Sequence, residues 1–129
     1  MDLLEPKATG LYIHFPFCLS KCSYCDFYSI PLTNREQIEA YILSLIMEIK
    51  LQAACYKELV IKTVYLGGGT PSLMEDRQFF LLINTISNNF KLADDVEITI
   101  EANPKTLTEE KLKSFFTTGL NRVSLGVQS

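Results

Sequence analysis

Three cysteines stand close together in "FPFCLSKCSYCDFYS", residues 15–29: Cys18, Cys22 and Cys25, spaced C-x3-C-x2-C. Thiolates at this spacing suit a metal centre, a redox pair or plain packing. A structural zinc site wants four tetrahedral nitrogen or sulfur ligands. The remaining candidates are His14, four residues before Cys18, and Cys55, far along the chain. His14 falls in the middle of a strand-like stretch, where a lone histidine more often packs or supports a ligand. Cys55 falls at a helix end, where cysteine is more often a small buried side chain. A [4Fe-4S] cluster is held by cysteine thiolates, and three of them leave one iron open to a non-protein ligand. The cluster fits three ligands better than zinc does, with zinc and redox chemistry as the alternatives on spacing. The aromatics Phe15, Phe17, Tyr24, Phe27 and Tyr28 crowd the same loop. They read either as loop packing or as a dry shell that tunes a cluster's potential.

A second chemical stretch is "YLGGGTPS", residues 65–72. It matches neither G-x-G-x-x-G nor G-x4-G-K-[ST], so the dinucleotide and P-loop patterns fail. The plain reading is a turn into a helix begun by Pro71 and Ser72. Gly67, Gly68 and Gly69 exceed what that turn needs, and glycine lets a backbone approach a ligand closely. The expectation is contact with a small polar group, an amine or a carboxylate, through backbone N–H and C=O groups. Glu101 ends the alternating stretch "VEITIE" and is followed by Ala102, Asn103 and Pro104. Alone it reads as a solvated strand-end acid. Gln128 and Arg122 are weaker candidates, and Arg122 reads equally as the partner of a surface carboxylate.

These residues need a scaffold, and apolar periodicity supplies one. Strand character appears at residues 10–15, 60–66, 96–101 and 122–127. Helical spacing runs over residues 34–55, with Ile38, Tyr41, Ile42, Leu45, Ile46, Ile49 and Ala53 on one face and Thr33 or Asn34 as N-cap. Residues 75–90 form a second helix through Phe79, Leu82, Ile83 and Ile86. Residues 107–118 form a third, capped by Thr108 and stopped at Gly119. The order β-α-β-α-β-α-β predicts an α/β fold of parallel β/α repeats, either open and doubly wound or closed into a barrel. In both cases chemistry gathers at the C-terminal strand ends. The cysteine loop, the glycines, Glu101 and Gln128 all fall on that rim.

A length of 129 residues, 47% hydrophobic and 21% charged with a formal net charge of −3, describes an ordinary globular domain. The 12 basic residues are scattered, which argues against a nucleic-acid partner. No signal-peptide pattern begins the chain, and no apolar run reaches the roughly 20 residues of a membrane span. The expectation is a cytoplasmic protein, where clustered cysteines serve more often as ligands than as disulfides. The chain stops directly after its fourth strand, which predicts the N-terminal part of a longer protein.

The four stretches "LYIHFPFCLSKCSYCDFYS", "VYLGGGTPSLM", "ITIEANP" and "RVSLGVQS", in this order, resemble the radical S-adenosylmethionine superfamily. Within it they are similar to the oxygen-independent coproporphyrinogen III oxidases and their relatives, the HemW heme chaperones. The resemblance spans residues 11–129. It implies the N-terminal part of a partial (β/α)6 TIM-like barrel, with residues 1–9 as lead-in and 10–129 as an incomplete core carrying strands one to four. It also implies that Cys18, Cys22 and Cys25 hold a [4Fe-4S] cluster, whose fourth iron takes the amino and carboxylate groups of S-adenosyl-L-methionine. Tyr12 and Tyr24 would flank that cofactor, and Gly68, Gly69 and Thr70 would contact its amino-acid part. Glu101 and Gln128 match two further cofactor positions. Heme or a porphyrinogen would be the further ligand, and a flavodoxin or ferredoxin the electron donor. The oxidases carry another cysteine two positions after the third, where this chain has Phe27. That departure favours the chaperone branch over oxidative decarboxylation.

Overall fold

The computed structural model describes residues 8–18, 30–31 and 34–126. Among the described residues, three strands come first, and three helices then alternate with three more strands. Strand β1 covers Ala8–Phe15, β2 Phe17–Cys18 and β3 Ile30–Pro31. Helix α1 covers Arg35–Cys55, β4 Val60–Gly68 and α2 Asp76–Asn89. Strand β5 covers Lys91–Ala102, α3 Glu109–Thr118 and β6 Arg122–Leu125. A short 3-10 turn, Pro71–Leu73, separates β4 from α2.

The main sheet has the order β1-β4-β5-β6, and every neighbouring pair is parallel. The strand order follows the chain order without reversal, so the sheet winds in one direction. A doubly wound sheet would reverse at a switch point; a barrel does not. The topology therefore resolves the sequence alternative in favour of a partial barrel. A second, two-stranded sheet pairs Phe17 with Ile30 and Cys18 with Pro31 in parallel.

Local chemistry explains the helix ends. The Asn34 side chain accepts from the Gln37 N–H at 3.2 Å, and the Asn34 N–H donates to the Gln37 side chain at 3.3 Å. This reciprocal pair satisfies donors that the first helical turn leaves open. Asn34, and not Thr33, is the N-cap. Thr108 caps α3 by accepting from the Lys111 N–H at 3.0 Å. Gly119 ends that helix at φ 137°, a conformation that side chains disfavour. The second helix starts at Asp76, within one residue of the start that periodicity predicts, but Pro71 and Ser72 form a separate 3-10 turn before it instead of beginning it.

Strand side chains alternate between faces. Ile13 and Phe15, Val64 and Leu66, and Ile98 and Ile100 join the apolar core with Ile38, Ile42, Phe79, Leu82 and Phe115 from the helices. Phe79 and Phe115 stack at 4.2 Å between ring centroids, and both are fully buried. Helix α1 departs from a simple amphipathic reading. Its Ile38, Ile42, Ile49 and Ala53 are buried as expected, but Leu43, Met47 and Leu51 form an exposed apolar row at spacing four. Among the described residues, no helix is long and apolar enough to cross a membrane.

Candidate functional site

The face of the sheet turned away from the helices carries Tyr12 and His14 from β1, Tyr65 and Gly67 from β4, and Glu101 from β5. Tyr12 lies opposite Tyr65 in the register, and Tyr65 lies opposite Thr99. At the C-terminal ends of β4, β5 and β6 a cleft of about 390 Å³ opens. Gly69, Thr70, Glu101, Asn103, Ser124 and Gly126 line it. Three of the residues singled out from sequence, Gly69, Thr70 and Glu101, thus share one cavity.

The glycine turn is fastened to the segment that carries Cys18. The Gly69 N–H donates to the Phe15 carbonyl at 2.6 Å, and the Thr70 N–H donates to the Phe17 carbonyl at 2.7 Å. Cys18, one residue beyond Phe17, is buried. Phe15, Phe17 and Tyr41 pack around this entry as edge-on ring pairs, with centroids 5.5 and 5.6 Å apart. The Tyr41 hydroxyl also donates to the His14 carbonyl at 2.6 Å. Phe15, Phe17 and Tyr41 therefore form a packed aromatic cluster at the segment that leads into Cys18.

The glycines answer to neighbours within the protein. A Cβ on Gly67 would lie 2.8 Å from the Tyr65 ring and 2.9 Å from Glu101 Oε1. Gly68 has φ 113°, and a Cβ there would lie 2.5 Å from His14 Cε1. A Cβ on Gly69 would strike the Phe17 carbonyl. Each of the three glycines therefore has a steric reason within the protein, beside the ligand contact expected of them. The backbone donors are engaged as well, since the Gly68 N–H donates to Glu101 Oε1 at 2.9 Å. With the N–H groups of Gly68, Gly69 and Thr70 all committed, this turn offers backbone acceptors, which suit an ammonium. Donors in the same cleft come from the Thr70 side chain and Lys105.

Glu101 is half-buried, and both of its oxygens are held. Oε1 accepts from Gly68, and Oε2 accepts from the Tyr65 hydroxyl at 2.7 Å. Each carboxylate oxygen can accept more than one bond, so Glu101 retains capacity for donors inside the cleft. The Tyr65 hydrogen bond to Glu101, followed by burial, pushes the Tyr65 phenol above its ordinary value. Tyr12 stands at 57% exposure with its ring stacked on Tyr65, centroids 6.0 Å apart and planes at 16°. Its phenol is also pushed up, by burial first and then by the Glu101 charge. The Tyr12 hydroxyl lies 3.2 Å from His14 Nδ1. Tyr12 thus reaches Glu101 through Tyr65 and does not line the cleft.

From sequence no role is singled out for Tyr65, and His14 reads as a packing or ligand-supporting side chain. The signal for Tyr65 was its position two residues before Gly67, which sets both on one strand face. The fit of the expected groups rests on this donor set. Cys18 is buried beside the turn, and its sulfur is of the soft type that an iron-sulfur cluster takes. The cleft brings together the Glu101 carboxylate, Lys105 and the hydroxyls of Thr70 and Ser124, a set that fits a ligand carrying an ammonium, a carboxylate and hydroxyls. Cys22, Cys25, Tyr24, Phe27 and Gln128 lie outside the described residues. Among the described residues, no cluster of three or more His, Cys, Asp or Glu could hold a metal.

The radical SAM superfamily model matches residues 12–129. The heme chaperone HemW of Buchnera aphidicola from Acyrthosiphon pisum is 40% identical over 120 residues, covering 93% of this chain and 32% of that protein. The heme chaperone HemW of Escherichia coli K12 is 39% identical over 120 residues, with the same coverage of 93% and 32%. The solved structure of E. coli coproporphyrinogen III oxidase (HemN), a radical SAM enzyme, superposes with a TM-score of 0.89 at 31% identity. That match covers 96% of this chain and 28% of the other. The chain spans about a third of the length of the curated relatives it matches.

Proposed function

The chain belongs to the radical SAM superfamily, and from that membership we propose that it binds a [4Fe-4S] cluster and S-adenosylmethionine as the N-terminal part of a cytoplasmic, HemW-type heme chaperone. One observation carries the reading. The Gly69 and Thr70 N–H bonds to Phe15 and Phe17 hold the Cys18 strand against the wall of the cleft that Glu101 completes. The Cys18 thiol is thus fastened beside a carboxylate-lined cavity, and that proximity supports the reading.

Cys18, Cys22 and Cys25 would hold the cluster as thiolates. When bound, the cluster supplies an electron for reductive cleavage of the cofactor's sulfonium. The residues of the chain do the rest. Backbone acceptors along Gly68–Thr70 receive the cofactor's ammonium, because the donors of that turn are already engaged. Glu101 accepts from hydroxyl donors while Gly68 and Tyr65 fix its plane. Tyr24 would flank the cofactor and Gln128 would add a polar contact, while Tyr12 would act from behind Tyr65, on which its ring stacks. The packed rings of Phe15, Phe17 and Tyr41, in the segment that leads into Cys18, would help to keep the cluster dry. Heme is the cargo in this reading, and a flavodoxin or ferredoxin supplies the electron.

The alternative is an oxygen-independent coproporphyrinogen III oxidase, and the 0.89 TM-score to the E. coli enzyme favours it. Against it stand the HemW relatives, and Phe27 where the oxidases carry a further cysteine. Anaerobic reconstitution of wild type and Cys22→Ala, followed by iron and sulfide analysis and electron paramagnetic resonance, tests the cluster. Wild type should show a [4Fe-4S] signal that Cys22→Ala loses; zinc without iron in the wild type would overturn the reading. Assays of the full-length protein then separate the branches. Stoichiometric heme binding without decarboxylation is expected, and sustained decarboxylation of coproporphyrinogen would instead establish the oxidase.

A further inference from the structure

We infer that Tyr65 is the positioning residue for Glu101, holding that carboxylate in the orientation from which it receives the cofactor. The inference rests on the proposed role of Glu101 as a cofactor contact. Tyr65 and Glu101 sit on the adjacent parallel strands β4 and β5, and the tyrosine hydroxyl donates to Glu101 Oε2 at 2.7 Å. The Gly68 N–H takes the other oxygen, Oε1, at 2.9 Å. One donor per oxygen fixes the carboxylate plane; with Gly68 alone the group could rotate about its terminal torsion.

Three further features show that the arrangement is built rather than incidental. Gly67 lies under the contact, and a Cβ there would lie 2.8 Å from the Tyr65 ring and 2.9 Å from Glu101 Oε1. Its lack of a side chain is what allows ring and carboxylate to meet. Tyr12 then covers Tyr65, with nearly parallel rings at 6.0 Å, so the donor is held in place from outside. The Tyr65 phenol is pushed above its ordinary value, foremost by the Glu101 bond, and therefore remains a donor throughout the neutral range. Tyr65 acts through Glu101, and a carboxylate fixed before the ligand arrives avoids an ordering cost on binding.

The test is a double-mutant cycle on anaerobically reconstituted protein: wild type, Tyr65→Phe, Glu101→Gln and the double variant. The readouts are equilibrium affinity for S-adenosylmethionine, cluster content and thermal midpoint. Tyr65→Phe should retain the cluster and weaken cofactor binding roughly five-fold, the scale of one hydrogen bond. In the Glu101→Gln background the same change should make no further difference. Additive losses would show that Tyr65 acts on its own and would overturn the inference. So would a Tyr65→Phe protein that binds the cofactor like wild type while Glu101→Gln does not. Loss of the cluster in Tyr65→Phe alone would place the residue in the scaffold and overturn it too. If Glu101→Gln itself left affinity unchanged, the reading of Glu101 would fall, and this inference with it.

Discussion

The imidazole of His14 occupies the space that a side chain on Gly68 would need. A Cβ there would lie 2.5 Å from His14 Cε1 and 2.7 Å from Nδ1, on a backbone at φ 113°. Two penalties therefore coincide in Gly68→Ala: a conformation disfavoured for side chains and an overlap with a ring. Together they should cost about 3 kcal/mol. Gly119→Ala is the control, since Gly119 also has positive φ but its Cβ would meet only ordinary contacts at 3.6 Å or more. That variant should cost about 1–2 kcal/mol. Urea unfolding of both checks the order; equal losses would mean that His14 moves aside freely.

How far the sequence reveals this arrangement depends on whether the determinants are local. Asn34, Thr108 and Gly119 mark helix ends by chemistry within three residues, and the helices start or stop there. Strand limits are set by partners far away in sequence. Strand β5 begins at Lys91 rather than 96 because Lys91 and Leu92 pair with Val60 and Ile61. The register irregularity between Ile61 and Thr63, together with Asp94 and Asp95, hides that extension from any alternation pattern. The candidate site divides the same way. Glu101 and the glycine turn are visible as a strand-end acid and a glycine run. Of the partners that demand those glycines, Tyr65 sits two residues before Gly67 on the same strand, whereas His14 and Phe17 arrive from other strands and leave no mark at spacing-pattern range.

The stacked pair of Phe79 and Phe115 joins α2 to α3 at the centre of the core, with both rings fully buried. Phe115→Ala should destabilise by about 3–5 kcal/mol, from lost transfer energy and the cavity left beside Phe79. Phe115→Leu, which keeps most of the volume, should cost well under half of that. Chemical denaturation of the two variants gives the comparison. If alanine were as mild as leucine, the helices would be closing the cavity by sliding.

Glu39 links α1 to α2 through a two-pronged pair with Arg77, at 2.7 and 3.1 Å, and accepts from the Gln78 amide at 3.3 Å. The Arg77 bonds first, then Gln78, hold the Glu39 carboxyl below its ordinary value. A carboxyl with a depressed folded value contributes stability above its unfolded value of about 4.3, and loses it as pH falls through the folded one. The pair is partly solvated, so its contribution is small and sensitive to salt. Thermal midpoints of wild type and Glu39→Gln should differ slightly at neutral pH and low salt, and converge both on acidification and in high salt. A difference that persists under both conditions would point to packing instead of charge.

Tyr41 presents the opposite pH limb. Its hydroxyl donates to the His14 carbonyl at 2.6 Å, and its ring meets Phe17 edge-on at 5.6 Å, so it braces β1 just before Cys18. Burial, then the charge of Glu48, pushes its phenol above the ordinary value. A phenol raised in the folded state keeps its proton where the unfolded chain releases one. Stability is therefore full below the unfolded value of about 10 and declines as pH rises from there through the folded value. Tyr12 and Tyr65 are shifted the same way and add to this alkaline decline. Tyr41→Phe should lose about 1 kcal/mol at neutral pH from the missing hydrogen bond. It should also decline less steeply above pH of about 10, because one of the three phenols is gone. Urea unfolding of wild type and variant across that range measures both effects, and parallel curves would show that Tyr41 ionises in the folded protein as readily as in the unfolded chain.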